Sequence, residues 1–347
     1  MKFVIYADPH WSSYSSIVRG RGYKYSDRLE KLISSINYVE AVAEETDADG
    51  IICLGDFFDK EFLNSEEISA LSEVKFSKTV PHYFLCGNHE MGRGDGTFSS
   101  SFIMKLCENT TVFSEPTSVV IGDTDFFFLP YILPKKLKPL EDYIGGNTAK
   151  HRVIFSHNDL SGVQYGSFLS DEGLDIHDIE SHCDLFINGH LHNGYEITPR
   201  VINLGNLVGQ NFSEDAMIYD HNIMVLTQDG DYFDWEYIEN PYSFNFYKLD
   251  FTTGRVEDAK KRLDCLKENS VVSVKILDSQ TELIDLIKNT KNISYNRIVV
   301  EQSNTEKEPV KVEELQSCDH IKMFMDYVKS VCDNSPLLES ELSKITR

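Results

Sequence analysis

The chain is poor in basic residues and lacks paired cysteine motifs. Lysine and arginine total 33 against 56 aspartate and glutamate residues, which gives a formal net charge of −23. This balance argues against a protein that coats nucleic acid through a broad basic surface. None of the seven cysteines stands in a Cys-x-x-Cys pair, so neither a zinc ribbon nor a disulfide framework is expected. We therefore expect reduced thiols in a cytoplasm, or in the host cytoplasm if the chain is viral.

The chain also lacks long apolar runs. No stretch approaches the roughly 20 apolar residues that a membrane-spanning helix requires, so no membrane association is expected. The short N-terminal apolar run ends at Asp8 and predicts a strand rather than a signal peptide. The 347 residues, 41% of them hydrophobic, fit a soluble globular protein of two or three domains with a sizeable core.

Short apolar runs alternate with helical patterns through the first two thirds of the chain. Residues 26–43 place leucine, isoleucine and valine at helical spacing behind Ser26, a candidate N-cap. Residues 65–76 and 97–107 are further predicted helices, and strands predominate after Thr117. The alternation predicts an α/β sandwich with helices on its outer faces.

A domain boundary is predicted at Asn240-Pro241. Residues 1–240 would form the first domain, and residues 241–302 would form a small β-α-β-α-β domain. Residues 303–347 read as a polar linker followed by a helix with an apolar stripe at 312–332.

Residue types that bind metals follow five of the predicted strands. Ligand sites in open α/β sheets lie at the carboxyl ends of strands, so these side chains are expected at one edge. In extended chain, residues i and i+2 point to the same face, which would turn both members of an Asp-x-His or His-x-His pair inward. The residues are Asp8 and His10, then Asp56, then Asn88 and His89, then His157, and finally His190 and His192.

This mixture of oxygen and imidazole ligands suits first-row divalent ions. Two ligand sets can be drawn around Asp56 as a shared, bridging carboxylate. Two ions roughly 3.5–4 Å apart would activate a water and neutralise charge on phosphorus oxygens. His89 would remain free beside them to protonate a leaving oxygen. Asp8, His10 and His192 would complete the first set, and Asn88, His157 and His190 the second.

Each of these histidines alone has an ordinary structural interpretation, but five motifs in order favour the functional one. The order Asp-x-His, Gly-Asp-x-x-Asp, Gly-Asn-His-Glu, His and Gly-His-x-His across residues 1–240 resembles the calcineurin-like metallophosphoesterase superfamily. The resemblance implies the same ligand assignment and a four-layer α/β/β/α sandwich. It also implies a metal-dependent phosphodiesterase with two divalent ions.

A narrower similarity is to the SbcD-type double-strand-break repair nuclease subunit and its bacteriophage recombination-endonuclease relatives. It rests on residues 55–59, 184–192 and 201–206, followed by Phe212 and Glu214. This resemblance implies Mn²⁺ as the metal, exonuclease action on duplex ends and endonuclease action on single-stranded or hairpin DNA. The similar layout implies a small α/β cap (241–302) that contacts DNA and a C-terminal helix (303–347) that docks on an SMC-like coiled-coil ATPase. It also implies a homodimer.

Two departures from this pattern limit what is carried over. Some members have histidine where this chain has Asp59, so Asp59 receives no catalytic role. Serine or threonine is common where this chain has Asn206. Asp59 and Glu90 are instead predicted to support ligands.

Arg19, Arg21, Lys24 and Arg28 form a basic segment soon after His10, and the first three are candidate contacts to the DNA backbone. A solvated loop and helix start is the alternative interpretation. With two ions bound, the site would be locally positive on an acidic protein, and the ATPase would supply much of the affinity for long DNA. The alternative functions are a phosphomonoesterase or cyclic-nucleotide phosphodiesterase acting on small phosphoesters, and a non-catalytic scaffold with a remnant metal site.

Overall fold

The computed structural model describes residues 1–93, 97–146, 149–165 and 168–302, and residues 1–301 form one compact unit. The helix predicted at 312–332 lies outside the described residues. The strands are, in chain order, β1 (Lys2–Tyr6), β2 (Gly50–Cys53), β3 (His82–Leu85), β4 (Met91–Gly92), β5 (Phe98–Ser99), β6 (Thr110–Phe113), β7 (Thr117–Ile121), β8 (Thr124–Leu129), β9 (His151–Ser156), β10 (Leu160–Ser161), β11 (Gln164–Tyr165), β12 (Phe168–Leu169), β13 (Leu174–Asp175), β14 (Leu185–Asn188), β15 (Tyr195–Thr198), β16 (Val201–Asn203), β17 (Asn222–Asp229), β18 (Tyr232–Glu239), β19 (Asn245–Asp250), β20 (Ser270–Leu277) and β21 (Ile293–Glu301). The α-helices are α1 (Asp27–Glu45), α2 (Ser65–Leu71), α3 (Ile176–His182), α4 (Val256–Asp264) and α5 (Thr281–Asn289), and 3₁₀ helices cover Ser100–Leu106, Pro134–Lys136 and Leu140–Asp142.

Two six-stranded sheets form the body of the protein. The first has the order β18-β17-β1-β2-β3-β6, and the second has the order β15-β16-β14-β9-β8-β7. Strands β1, β2, β3 and β6 pair in parallel, as do β8, β9, β14 and β16. Antiparallel strands complete the outer parts of both sheets. The carboxyl ends of the parallel strands can therefore gather several loops at one place.

Alternation along the strands produces the layers. In β1, Phe3 and Ile5 join a buried cluster that also contains Phe126 from β8, so this cluster fills the space between the two sheets. Val4 and Tyr6 point to the opposite face and pack with the apolar residues of α1. The outer face of the second sheet is covered by α3. The layers are helix, sheet, sheet and helix, and the predicted α/β sandwich is confirmed.

Helix α1 follows the predicted pattern closely. Ser26 is its N-cap and accepts a hydrogen bond from the backbone N–H of Leu29. Apolar residues at helical spacing form its buried stripe, namely Leu29, Leu32, Ile36, Val39 and Val42. The same buried face carries Arg28, which the sequence placed in an exposed basic segment.

The small three-stranded sheet has the order β19-β20-β21, with all strands parallel and a buried cluster shared with α4 and α5. It contacts the loop that follows His10, since the Gly20 N–H donates to the hydroxyl of Tyr295 at 3.0 Å. Lys31 of α1 reaches Asn269 at 2.6 Å. The boundary at residue 240 and the DNA-contacting role of residues 241–302 remain predictions.

The predicted helix at 97–107 is wrong in type. Phe98–Ser99 is a short strand that pairs with β4, and Ser100–Leu106 forms a 3₁₀ helix. Serine side chains compete with helical hydrogen bonds, and the hydroxyl of Ser99 here caps the N–H of Ser101. The predicted helix at 65–76 is also shorter, because α2 ends at Leu71.

None of the helices in the described part of the chain has the length and hydrophobicity needed to cross a bilayer.

Candidate metal centre

The structure brings the seven predicted metal ligands together beyond the carboxyl ends of β1, β2, β3, β9 and β14. Two groups of side chains within them offer ligand atoms that all lie within 4.8 Å of one another. The first group is Asp8, His10 and His192, and the second is Asp56, His157 and His190. Asn88 lies within the second group. These are the two sets drawn from the sequence, and their roles as ligands remain a prediction.

Asp56 lies between the two groups. Its Oδ2 atom is 3.3 Å from Nε2 of His157 and 3.8 Å from Nε2 of His10. Its Oδ1 atom accepts from the backbone N–H of His89 at 2.9 Å, which fixes the orientation of the carboxylate. One carboxylate oxygen is therefore within reach of ligands from both sets.

The expectation of extended backbone at the paired ligands is wrong. Asp8 and His10 both have φ of 50°, Asp56 has 46° and His190 has 73°, all in the left-handed region. Residues other than glycine rarely adopt this conformation because it crowds the Cβ against the backbone. Here the strained residues sit at the ends of strands, where the packed sheets hold them, and they turn their side chains into the site.

Two of the glycines that precede predicted ligands lie so close to other ligand side chains that no larger residue fits. Gly55 has φ of 110°, and a Cβ there would lie 2.4 Å from Nδ1 of His157. A Cβ on Gly87 would lie 2.1 Å from Oδ1 of Asp56. Any larger residue would push a predicted ligand aside.

Two imidazoles in the first set have one ring nitrogen held by a carboxylate. Nδ1 of His10 donates to Asp59 at 3.2 Å, and Nδ1 of His192 donates to Glu214 at 2.9 Å. In the neutral rings both Nε2 atoms therefore carry lone pairs, and they face each other at 3.1 Å. Acceptors behind ligating imidazoles fix the tautomer in this manner at metal sites.

The second set follows the same rule. Nδ1 of His157 donates to the carbonyl oxygen of Leu54 at 2.7 Å, and Nε2 of His190 donates to Asp159 at 3.1 Å. The remaining nitrogens lie 3.2 Å and 3.0 Å from Oδ1 of Asn88. With an ion bound, each of these nitrogens would offer it a lone pair beside the amide oxygen.

The residues fit a pair of divalent cations. Oδ1 of Asp8 is buried and receives no hydrogen bond within the described residues. It lies 3.8 Å from Nε2 of His10 and 4.0 Å from Nε2 of His157. An unpaired carboxylate oxygen among converging lone pairs is costly unless a cation neutralises it.

The shifted pKa values of the buried acids and of His157 also fit a site for cations. Burial lowers the pKa of His157, but Asp56 and Asp8 outweigh burial and raise that pKa to about 9. Burial raises the pKa of Asp56, but His157 and His10 offset it and hold that pKa below its usual range. Burial, followed by the charge of Asp56, raises the pKa of Glu90 to about 7. A pKa of about 9 favours a protonated His157 at neutral pH without metal, and a bound cation would take the place of that proton.

His89 stands apart from the seven ligands. The His89 side chain is 44% exposed, and its ring lies edge-on to His10 with 4.7 Å between centroids. Its Nδ1 donates to the carbonyl oxygen of Asp59 at 3.1 Å. Nε2 therefore remains for a solvent or substrate atom.

Of the two predicted supporting acids, Asp59 holds His10, whereas Glu90 holds backbone. The buried Glu90 carboxylate accepts from the N–H groups of Phe58 and Gly87 at 2.9 Å and 2.8 Å. It thereby ties the loop after β2 to the loop after β3.

Glu214 and Asp159 were not assigned support roles from the sequence. Glu214 is distant from His192 in the chain, whereas Asp159 follows His157 by two residues. The short spacing between Asp159 and the predicted ligand His157 was the one sequence feature that could have indicated a supporting role for Asp159.

The three basic residues proposed for DNA differ in their surroundings. Arg21 lies 3.4 Å from Glu66, and Lys24 pairs with Glu73 at 2.5 Å. Arg19 is exposed, and its Nε donates to the carbonyl oxygen of Ser16. Arg19 is thus the one of the three without a carboxylate partner in the described structure.

Comparisons with known proteins decide the family. A family model described as calcineurin-like phosphoesterase matches residues 1–194, more than half of the chain. The chain belongs to the calcineurin-like phosphoesterase family. It is therefore a metal-dependent phosphoester hydrolase whose fold holds two divalent ions. A search of curated protein sequences finds no match.

Several solved structures are similar to this chain at low sequence identity. A dimetal phosphatase from Danio rerio is 15% identical with a TM-score of 0.39, over 69% of this chain and 96% of that one. A phosphoesterase from E. coli is 12% identical with a TM-score of 0.31, over 66% and 90% of the two chains. A calcineurin-like phosphoesterase from Bacillus subtilis is 11% identical with a TM-score of 0.32, over 69% and 88%.

Proposed function

We propose that this phosphoesterase is a Mn²⁺-dependent DNA nuclease of recombination or repair. It would degrade duplex ends as an exonuclease and cut single-stranded or hairpin DNA as an endonuclease. It would work as a homodimer with an SMC-like coiled-coil ATPase. The sequence motifs that resemble the SbcD-type subunit motivate the proposal, and a groove lined by two arginines supports it.

The groove has a volume of about 320 Å³, and Arg19 and Arg297 of β21 are among its lining residues. Neither arginine forms an ion pair with a carboxylate in the described structure. Phe212 also lines the groove and lies two residues before Glu214, which holds His192. Two arginines without ion pairs in one groove, on a chain of net charge −23, favour a phosphodiester backbone as the occupant.

The proposed reaction assigns a task to each part of the site. Asp8, His10 and His192 would hold one ion, Asn88, His157 and His190 the other, and Asp56 both. When bound, the ions supply a water nucleophile of lowered pKa and neutralise charge on the phosphoryl oxygens. Nε2 of a protonated His89 would donate its proton to the leaving oxygen.

The acidic surface supports the need for a partner. Phosphate contacts dominate affinity for DNA, and two arginines supply few of them. We therefore propose that the ATPase provides most of the affinity for long DNA, while this chain provides the reactive centre.

The test is hydrolysis by the full chain with Mn²⁺, offered linear duplex DNA, single-stranded DNA, p-nitrophenyl phosphate and a cyclic nucleotide. The proposal expects DNA cutting, and it expects Arg19→Ala with Arg297→Ala to raise KM for DNA at least several-fold. Lys24→Ala is the matched control, because Lys24 is paired with Glu73. Efficient turnover of a small ester without any cutting of DNA would select the small-substrate alternative.

A further inference from the structure

Arg28 lies in the first turn of α1 and is 4% exposed. Its Nη2 donates to the carbonyl oxygens of Pro9 and His10 at 3.3 Å and 3.1 Å. Its Nη1 donates to the carbonyl oxygen of Gly209 at 3.5 Å. The buried guanidinium donates these hydrogen bonds to backbone carbonyl oxygens, so it holds the two backbone segments that carry them in place.

The contacts to Pro9 and His10 secure a strained turn. Asp8 and His10 are both left-handed, and Pro9 lies between them. Left-handed residues other than glycine persist where surrounding contacts hold them. Arg28 donates to two carbonyl oxygens of this turn. These hydrogen bonds hold Asp8 and His10, two predicted ligands of the first set, in position.

The contact to Gly209 supports His192, the third predicted ligand of the first set, indirectly through Glu214. A Cβ on Gly209 would lie 2.1 Å from the carbonyl oxygen of Phe244. The backbone at Gly209 is therefore packed tightly against Phe244. The next residue, Gln210, donates its N–H to Glu214 at 2.7 Å, and Glu214 holds His192. Arg28 is thus tied to His192 through one short loop.

The positive charge of Arg28 interacts with the two carboxylates that hold His10 and His192. Burial lowers the pKa of Arg28, whereas the carboxylates of Asp59 and Glu214 raise it. Arg28 in turn is one of the groups that lower the pKa of Asp59. These two carboxylates are the acceptors behind His10 and His192, so the guanidinium balances the charges that orient both imidazoles.

We infer that Arg28 is a positioning residue for the first ion of the pair and not for the second. Its hydrogen bonds reach the turn that carries Asp8 and His10 and the segment that leads to Glu214, the acceptor of His192. None of its hydrogen bonds within the described residues reaches Asn88, His157 or His190. The inference depends on the dimetal centre of the family and is independent of the substrate.

Calorimetric titration of the metal-free chain with Mn²⁺ tests this. Arg28→Met keeps the volume and removes the charge and the donors, and it should weaken one of two ion-binding events ~10- to 100-fold while sparing the other. Lys31→Met is the control, since Lys31 is a half-buried cation one turn later on α1 that contacts Asn269 instead. The control should bind both ions as the parent chain does.

Asn88→Ala identifies the affected ion, because it removes a ligand from the second set. In that background the remaining Mn²⁺ should bind ~10- to 100-fold more weakly when Arg28 is replaced by methionine. If the methionine variant does not fold, Arg28→Lys serves instead, since an ammonium can still donate to the carbonyls of Pro9 and His10. The lysine variant should restore part of the first affinity. A folded variant that binds both ions with parental affinity, or loses both equally, overturns the inference.

Discussion

His10 and His192 are separated by 182 positions in the chain, yet their Nε2 atoms lie 3.1 Å apart. Asp59 and Glu214 hold the opposite nitrogen of each ring, so in the neutral rings both facing atoms present lone pairs. Two lone pairs at this distance repel unless a proton or a cation lies between or beside them. The Oδ1 atom of Asp8, 3.8 Å from His10, adds a negative charge at the same point. We therefore predict that a cation binds here.

Removing the carboxylate behind an imidazole should weaken the ion that this imidazole serves. Glu214→Gln should reduce the affinity of the first ion ~10- to 100-fold, and Asp159→Asn should do the same for the second. Mn²⁺ titration by calorimetry measures both. Glu236→Gln in β18 is the control, because it removes the same charge from an exposed position. Equal affinities in all variants would argue against the assigned tautomers.

His89→Ala should lower kcat on DNA ~10²- to 10⁴-fold, because the leaving alkoxide loses its proton donor. The loss should be much smaller with bis(p-nitrophenyl) phosphate, whose leaving group needs no proton. Bound metal, measured by elemental analysis, should not change, since His89 is not one of the seven ligands. His177→Ala, an exposed histidine on α3, is the control. An equal loss on both substrates would contradict the role of proton donor.

The metal-free chain should lose stability as pH rises from about 6.5 to about 9. The pKa of His157 is raised from 6.5 to about 9 in the folded chain, so its stabilising contribution is complete below 6.5 and is lost as pH rises through 9. Mn²⁺ affinity should rise over the same interval, because the ion competes with that proton. Thermal unfolding with EDTA and with Mn²⁺ at several pH values measures both. In His157→Gln the dependence over this interval should diminish, and an unchanged profile would exclude His157 as its source.

Gly55→Ala should destabilise the protein by more than Gly122→Ala. Both glycines have positive φ, so each alanine carries the left-handed penalty of about 1–2 kcal/mol. A Cβ at Gly55 also meets His157 at 2.4 Å, whereas a Cβ at Gly122 meets nothing within 4 Å. Urea unfolding without metal gives the difference. Equal losses would mean that the loop around Gly55 yields more easily than its packing indicates.

Much of the fold could be predicted from periodicity. The stripe of α1 and its cap at Ser26 are local features, and they follow from residues within one or two turns. The strands that precede the ligands are short buried runs, and the order of metal-binding residue types after them indicated one shared edge. The helix predicted at 97–107 was wrong because pairing with β4 and serine capping outweighed its apolar spacing.

The details of the site depend on contacts that the local sequence does not encode. The left-handed backbone of Asp8 and His10 follows from packing between β1 and its neighbours, and no local pattern announces it. Arg28 was grouped with exposed basic residues, because its burial depends on carbonyl groups of Pro9, His10 and Gly209. Glu214 is joined to His192 by tertiary structure in the same manner.

The most direct test of the account is anomalous diffraction from crystals grown with Mn²⁺. We predict two peaks roughly 3.5–4 Å apart on either side of the Asp56 carboxylate. One peak should lie near His10 and His192, and the other near His157 and His190. A single peak, or two peaks that share no contact with Asp56, would contradict it.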